Sequence, residues 1–208
     1  MKRLLILLLA AMLMTPAPEV EELNQNEVCN APKVIEEQIP LPAAEEAVQE
    51  PIQTIEQQPY FNQYNLRELS NLTKEKIFKI LEGTELQAVS STYLDLEEAY
   101  QINAFFLIAL SAHESGWGTS KRAIEQNNLT GFAVYSDEAE GGTFISWSQS
   151  LEHTAELLDQ HYLTEGGMYF NGYGIEAVNT RYCLKDDEPD WNWSKSITSI
   201  CYELLERS

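Results

Sequence analysis

The sequence predicts a mainly α-helical domain with one small β-hairpin flap, carried behind a disordered acidic tail. Composition divides the chain, because seven of the eight prolines lie at or before Pro59, whereas all ten glycines and all four tryptophans lie beyond residue 80. Beyond the tail, apolar residues recur mostly at helical spacing, and only one segment alternates with a period near two. About 150 residues follow the tail, which is enough for one core without disulfide or metal staples. We therefore predict three parts, at 1–17, 18–62 and 63–208.

Residues 1–17 form the predicted signal peptide or N-terminal hydrophobic segment. Lys2 and Arg3 precede an apolar stretch of eleven residues at 4–14. A membrane-spanning helix needs about 20 apolar residues, so the stretch is typical of a secretory signal, and no other transmembrane anchor is predicted. An uncleaved helix at the membrane interface is the alternative. The chain is therefore expected to be secreted or associated with the cell surface.

The predicted linker at 18–62 is rich in Pro, Glu and Gln. Residues 18–60 contain ten Glu and one Lys, and too few apolar residues to offset the entropy of an ordered chain, which predicts disorder. It would act as a tether or be a leader without function. The net charge of -20 argues against nucleic acid as a partner, because a phosphate-binding surface needs excess Lys and Arg. It argues equally against attachment to anionic membranes by charge.

Helical patterns account for the first half of the domain. Thr73 is predicted to cap a helix that ends at Gly83, and a second helix is predicted over 86–100. The inward positions of the second helix are predicted to be Leu94, Leu96 and Ala99. A third helix, over 103–113, is apolar on every face, which indicates a position at the centre of a small domain.

The second half of the domain combines a flap with two further helices. Residues 131–147 follow a period near two around Gly141 and Gly142, which predicts a hairpin or an irregular flap. Helices are predicted over 150–162 and 193–205, where apolar residues recur three and four positions apart.

Glu114 follows the apolar third helix, where a carboxyl group is unusual. Burial and the negative end of the helix dipole would both disfavour its charged form, raise its pKa and keep the acid protonated near neutral pH. A protonated carboxyl group in a cleft can donate a proton to a leaving oxygen, as in glycosidases. Gly116 and Gly118 would let the chain turn sharply and let a bulky ligand approach. A partly exposed acid at a helix end is the alternative.

Metal and cofactor sites are not predicted. His113 and Glu114 would begin the zinc motif H-E-x-x-H, but position 117 is Trp117 rather than His. Cys183 and Cys201 could pair in an oxidising compartment, and reduced packing cysteines are the alternative.

Four short sequence elements follow one another in the domain. They are HESGWGTS at 113–120, NNLTGF at 127–132, FISWSQSLEHTAELLDQHYL at 144–163 and VNTRYC at 178–183. In this order they resemble the glucosaminidase family of peptidoglycan hydrolases (glycoside hydrolase family 73, in the lysozyme-like superfamily). Thr130 stands where the family usually has Phe. The resemblance covers roughly residues 73–206 and leaves the tail unexplained.

The resemblance implies a two-lobed, lysozyme-like α domain with a substrate cleft between the lobes. It implies hydrolysis of the β-1,4 bond after N-acetylglucosamine, with peptidoglycan glycan strands as the binding partner. Glu114 would protonate the glycosidic oxygen, and Tyr182 would contact the acetamido region of the substrate. The candidates for substrate binding are Trp117, Asn128, Tyr135 and Trp147, with Trp191 and Trp193 as further stacking candidates. Packing in the core is the alternative for the tryptophans.

A second catalytic carboxylate is less well defined by the sequence. Inverting and retaining mechanisms need one at about 6.5–9.5 Å or about 5–5.5 Å from the acid. The candidates on the flap are Asp137, Glu138 and Glu140, for which a solvated loop is the alternative. The 2-acetamido group of the substrate could instead act as the nucleophile.

Three functions are compatible with the resemblance. The first is an endo-β-N-acetylglucosaminidase, acting as an autolysin of bacteria or their phages. The second is a muramidase or a lytic transglycosylase that uses the same Glu on the same fold. The third is a non-catalytic wall-binding or virion module. Reaction products separate the first two, and Glu114→Gln tests the third.

Overall fold

The structure is a computed structural model that describes residues 3–4, 57–132, 141–185 and 187–208. Most of the predicted signal segment and linker, and the centre of the predicted flap, lie outside the described residues. Signal processing and disorder of the linker therefore stay predictions. The described part is mainly helical, as the sequence predicts.

Seven α-helices form the described part of the domain. They are α1 (Lys74–Ile80), α2 (Ser90–Tyr100), α3 (Ala104–Ser115), α4 (Lys121–Gln126), α5 (Trp147–Leu157), α6 (Ile175–Tyr182) and α7 (Trp191–Arg207). A 3-10 turn at Glu85–Val89 precedes α2, and a π-helical turn at Leu158–Tyr162 extends α5. The five helices predicted from the sequence are all found, with shifted ends. Helices α4 and α6 are not predicted, because six and eight residues show too little periodicity.

Helix α3 lies at the centre of the domain, as its uniformly apolar sequence predicts. All residues at 104–112 are buried, and helices α2, α5 and α7 pack around them. The Asn103 side chain caps the helix by accepting a hydrogen bond from the backbone N–H of Phe105. The helix extends to Ser115, beyond the predicted end at residue 113, so Glu114 lies in its last turn.

The buried face of α2 differs in part from the prediction. Leu96 is buried as predicted, but Leu94 is only half-buried, and the prediction for Ala99 is wrong because this residue is exposed. Tyr93 and Glu97 share the buried face with Leu96, since residues three and four apart lie on the same side of a helix. Both carry polar groups, so the pattern of apolar residues does not predict that they are buried.

Residues 57–72 form an N-terminal segment that packs against the helices. The buried carboxylate of Glu97 accepts hydrogen bonds from the backbone N–H and hydroxyl of Ser70, at 2.7 and 2.8 Å, and from the backbone N–H of Ala104, at 2.8 Å. Arg67 bridges to Asp159 at 2.7 Å. Phe61 is also buried, so packed structure begins before residue 63.

The strands in the described residues are two residues long and antiparallel. They are β1 (Arg3–Leu4), β2 (Leu184–Lys185) and β3 (Glu188–Pro189), in that spatial order. Strands β2 and β3 connect α6 to α7, which returns the chain from the end of one helix to the start of the next.

The predicted flap at 131–147 is described only at its two ends, because 133–140 lie outside the described residues. These ends contain no strand and are joined by a hydrogen bond of 2.9 Å from the Gly142 N–H to the Phe132 carbonyl. No helix in the described part of the chain has the length and apolar character needed to cross a membrane.

Candidate active site

Glu114 is positioned by two helices that are far apart in the sequence. Its half-buried side chain extends from the last turn of α3, and Oε1 accepts a hydrogen bond of 2.9 Å from the indole Nε1 of Trp193. Trp193 lies in the first turn of α7 and is only 3% exposed, so its N–H has a fixed direction. The packing of α7 along α3 therefore fixes one oxygen of the carboxyl group.

The residues after Glu114 end the helix abruptly. Gly116 adopts the left-handed conformation, with φ of 58°, and its backbone N–H still bonds to the Ala112 carbonyl. The hydroxyl of Ser115 donates to the Ser111 carbonyl and accepts a hydrogen bond of 2.8 Å from the Gly118 N–H. Since glycine adopts positive φ without steric cost, Gly116 ends the helix two residues beyond the acid.

Gly131 provides space beside the second oxygen of Glu114. A Cβ atom on Gly131 would lie 3.3 Å from Oε2, and φ at this residue is +66°. Both the conformation and the contact favour glycine at this position.

Asn128 holds the two ends of the flap together. Its side chain is 1% exposed, and Nδ2 donates to the carbonyls of Phe132, at 2.9 Å, and Gly142, at 3.0 Å. Oδ1 accepts a hydrogen bond of 3.0 Å from the Phe132 N–H. These contacts give Asn128 a positioning role beside Gly131, and direct contact with substrate stays a prediction.

Tyr182 ends α6 next to the acid and the indole. Its ring centroid lies 5.2 Å from that of Trp193 and 5.7 Å from that of Tyr162, and Tyr169 continues the row at 5.0 Å from Tyr162. Burial, and secondarily the negative charge of Glu114, raise the pKa of the Tyr182 hydroxyl well above its usual value. The phenol therefore stays neutral and can donate a hydrogen bond at physiological pH.

Trp117, which lies in the turn that follows Glu114, and Trp147 are partly buried and pack against the core. Trp147 donates from Nε1 to the Ala123 carbonyl at 2.8 Å, and its ring lies 3.1 Å from where a Cβ atom of Gly118 would be. These contacts brace the turn, whereas substrate stacking by either tryptophan stays a prediction.

The candidates on the flap are not tested by the described part of the chain. Tyr135, Asp137, Glu138 and Glu140 lie outside the described residues, so their roles stay predictions. Within the described ranges, no cluster of His, Cys, Asp or Glu could hold a metal ion. Cys183 and Cys201 do not form a disulfide with each other.

Sequence reasoning did not assign Trp193 to the acid. It marked this tryptophan as a stacking candidate only, because 79 residues separate it from Glu114. The one local signal is the concentration of Trp191 and Trp193 at the start of an amphipathic helix.

Comparisons with known proteins identify the family and the fold of the chain. The sequence model of the glucosaminidase family, described as mannosyl-glycoprotein endo-beta-N-acetylglucosaminidase, matches residues 90–205. The chain is 27% identical over 150 residues to each of two proteins named "Putative endo-beta-N-acetylglucosaminidase", from Streptococcus pneumoniae strains TIGR4 and R6. The alignments span 69% of this chain but only 22% and 20% of the relatives, so the chain corresponds to about a fifth of their length.

Solved structures of Staphylococcus aureus autolysin E have a similar fold. A catalytic mutant in complex with the disaccharide NAG-NAM superposes with a TM-score of 0.54 at 16% identity, over 69% of this chain and 72% of that one. The complex with the muropeptide NAM-L-Ala-D-iGlu gives 0.53 at the same identity and coverage. Since the family model matches more than half of the chain and the helical fold agrees, this chain belongs to the glucosaminidase family.

Proposed function

We propose that this chain is a peptidoglycan hydrolase, an endo-β-N-acetylglucosaminidase that cleaves the β-1,4 bond after N-acetylglucosamine. The observation that carries the proposal is the carboxyl group of Glu114, held by the Trp193 indole at the end of the central helix. Family membership supports the same reaction class. The relatives named as endo-beta-N-acetylglucosaminidases support the specificity.

Glu114 is the general acid in this proposal. Its Oε1 accepts the indole hydrogen bond, which supports Oε2, on the side of Gly131, as the oxygen that carries the transferable proton. As the bond between C1 and the bridging oxygen breaks, the proton moves to that oxygen and positive charge develops on the sugar ring. Water then adds at C1, and its proton is taken up by a base. That base is a flap carboxylate, or Glu114 itself where the acetamido group of the substrate acts as nucleophile.

Tyr182 is a neutral hydrogen-bonding partner for the substrate beside the acid. Its raised pKa keeps the phenol protonated, so the group can orient an uncharged acetamido group without adding charge to the site. Its packing against Trp193 links the position of the phenol to that of Glu114.

The proposed substrate is the glycan strand of bacterial cell walls. Autolysin E, which shares the fold, was crystallised with NAG-NAM and with a muropeptide, which supports binding of such fragments here. Action on the wall also requires export, and the apolar segment at 4–14 supports a secreted or surface-associated enzyme.

Muropeptide analysis of digested sacculi tests the proposal. We expect the full chain to release fragments with new N-acetylglucosamine reducing ends, and Glu114→Gln to lower the rate at least about 100-fold, because proton donation contributes roughly that much. New muramic acid ends would instead identify a muramidase, and anhydro-muramic ends a transglycosylase. Unchanged wall clearing by Glu114→Gln would contradict any catalytic role for this residue.

A further inference from the structure

A cavity of about 250 Å³ lies between the N-terminal segment, the start of α6 and α7. It is lined by Gln63 and Tyr64 from the N-terminal segment, Tyr173 and Ala177 around the start of α6, and Thr198 from α7. None of these residues takes part in the site around Glu114.

The cavity and the acid lie on different faces of the α6–α7 pair. Ala177 precedes Tyr182 by five residues on α6, and Thr198 follows Trp193 by five residues on α7. At about 100° per residue, five residues turn the side chain by about 140° around a helix. Both helices therefore present one face to Glu114 and a different face to the cavity.

The walls of the cavity are fixed by backbone contacts. The Leu66 N–H donates to the Tyr173 carbonyl at 2.8 Å, and the Ile175 N–H donates to the Gln63 carbonyl at 2.9 Å. A Cβ atom on Gly174 would lie only 2.9 Å from the Gln63 carbonyl oxygen, so glycine is needed for this close approach. The cavity is thus formed before any ligand binds.

Polar and aromatic groups around the cavity have unused binding capacity. The amide of Gln63 and the hydroxyls of Tyr64 and Thr198 make no hydrogen bond to another described residue. The Tyr64 ring is 76% exposed, whereas the Tyr173 hydroxyl is held by Glu165 at 3.2 Å. One exposed and one anchored aromatic ring therefore stand beside free donors and acceptors.

The charge and size of the cavity restrict its ligand. Glu176 is the one charged residue among those lining it, so carboxylates and phosphates are repelled. Its volume lies below the roughly 300–1,000 Å³ of sites for drug-sized ligands, which suits a single ring. A sugar ring has an apolar face for tyrosine and hydroxyl and amide groups for the polar side chains.

We propose that this cavity is a second saccharide-binding site, which holds one uncharged amino-sugar unit of a wall glycan while Glu114 acts elsewhere. The inference rests on the proposed function, because it assumes a glycan substrate. Such a site would retain the enzyme on the wall by uncharged contacts. A chain with a net charge of -20 has no excess of basic residues that could anchor it by charge.

Sedimentation with purified sacculi tests this site. In the full chain carrying Glu114→Gln, which prevents turnover, we expect Tyr64→Ala and Thr198→Val each to weaken sacculus binding roughly three- to tenfold, the range of a moderate interface contact. Phe78→Ala is the matched control, since Phe78 is a 56% exposed aromatic residue of α1 that does not line the cavity. Hydrolysis of a soluble tetramer of N-acetylglucosamine by Tyr64→Ala with Glu114 intact should equal that of the wild type.

Three results would overturn the second site. These are unchanged sedimentation in both cavity variants, an equal loss in Phe78→Ala, and slower hydrolysis of the soluble tetramer, which would make the cavity part of the catalytic cleft. Failure of the proposed function is distinct, because the wild-type chain would then release no fragments from sacculi whether or not it sediments with them.

Discussion

The carboxyl group of Glu114 has a different neighbour at each oxygen. Oε1 meets the indole N–H of Trp193, and Oε2 faces Gly131. The hydroxyl oxygen of a carboxylic acid is a weaker hydrogen-bond acceptor than its carbonyl oxygen, so the indole hydrogen bond favours Oε1 as the carbonyl oxygen and Oε2 as the protonated one. We therefore expect Trp193 to favour protonation of Oε2 and to act on the proposed reaction by positioning Glu114.

Trp193→Phe is expected to change the pH dependence of the reaction as well as its rate. The indole N–H stabilises the charged form of the acid, so its removal should move the basic limb of the kcat/KM profile to higher pH. We expect kcat on sacculi to fall about tenfold, equivalent to about 1.4 kcal/mol, because the carboxyl group loses its fixed orientation. Rates measured between pH 4 and 9 check both effects.

Tyr202→Phe serves as the control for that variant, since Tyr202 lies on the same helix, is 41% exposed and is not a candidate for the site. It should leave rate and profile unchanged. An unshifted pH profile in Trp193→Phe would contradict the positioning role and reduce Trp193 to a packing residue.

Gly131→Ala is expected to impair catalysis through the space beside Oε2. The added Cβ would lie 3.3 Å from that oxygen, and a φ of +66° costs a residue with a side chain about 1–2 kcal/mol. Thermal unfolding should therefore show modest destabilisation, while muropeptide release falls more than stability explains. Gly83→Ala is the control, because its φ is +80° but nothing lies within 4 Å of the new atom.

Among the elements, the sequence defines α3 and its acid more completely than it defines the site around them. An apolar run followed by Glu114 and Gly116 is local information, and it predicts both the buried helix and its abrupt end. The contact with Trp193 depends on how α7 packs along α3, which no local pattern encodes. Helix α6 is not predicted because its eight residues show too little periodicity, although the family resemblance gives a role to Tyr182 at its end.

The two ends of the flap depend on Asn128, so Asn128→Ala should loosen the loop that contains Gly131. Its three side-chain hydrogen bonds are to buried or half-buried backbone groups, and their loss should lower the free energy of unfolding by about 1–3 kcal/mol. Denaturant unfolding measures this change. Asn127→Gly removes one hydrogen bond and keeps the left-handed conformation, so it should cost less. Equal costs would argue that Asn128 does not hold the flap.

At the scale of the whole molecule, the packed unit is larger than the family match. The match begins at residue 90, whereas buried residues of the N-terminal segment and α1 join the core from Phe61 onward. The Glu97 carboxylate accepts hydrogen bonds both from Ser70 of that segment and from Ala104 at the start of α3. Arg67 of the segment donates to the Leu163 carbonyl after the π-helical turn. The segment also supplies one wall of the cavity proposed to bind saccharide, so the same contacts that stabilise the domain create its second surface.

Alkaline pH is expected to destabilise the domain, because burial keeps several tyrosine hydroxyls in their neutral form. Burial raises the pKa of Tyr93, Tyr162 and Tyr182 above the usual value. The unfolded chain loses these protons near pH 10, whereas the folded chain keeps them. The contribution of these hydroxyls to the free energy of unfolding is therefore complete below that pH, and above it the free energy declines by about 1.4 kcal/mol per pH unit for each group. Tyr93→Phe removes one titrating hydroxyl, and Ser111 keeps backbone acceptors at 3.0 Å. Denaturant unfolding between pH 8 and 11.5 should therefore show a shallower decline for Tyr93→Phe than for the wild type, and parallel curves would contradict a buried, neutral Tyr93.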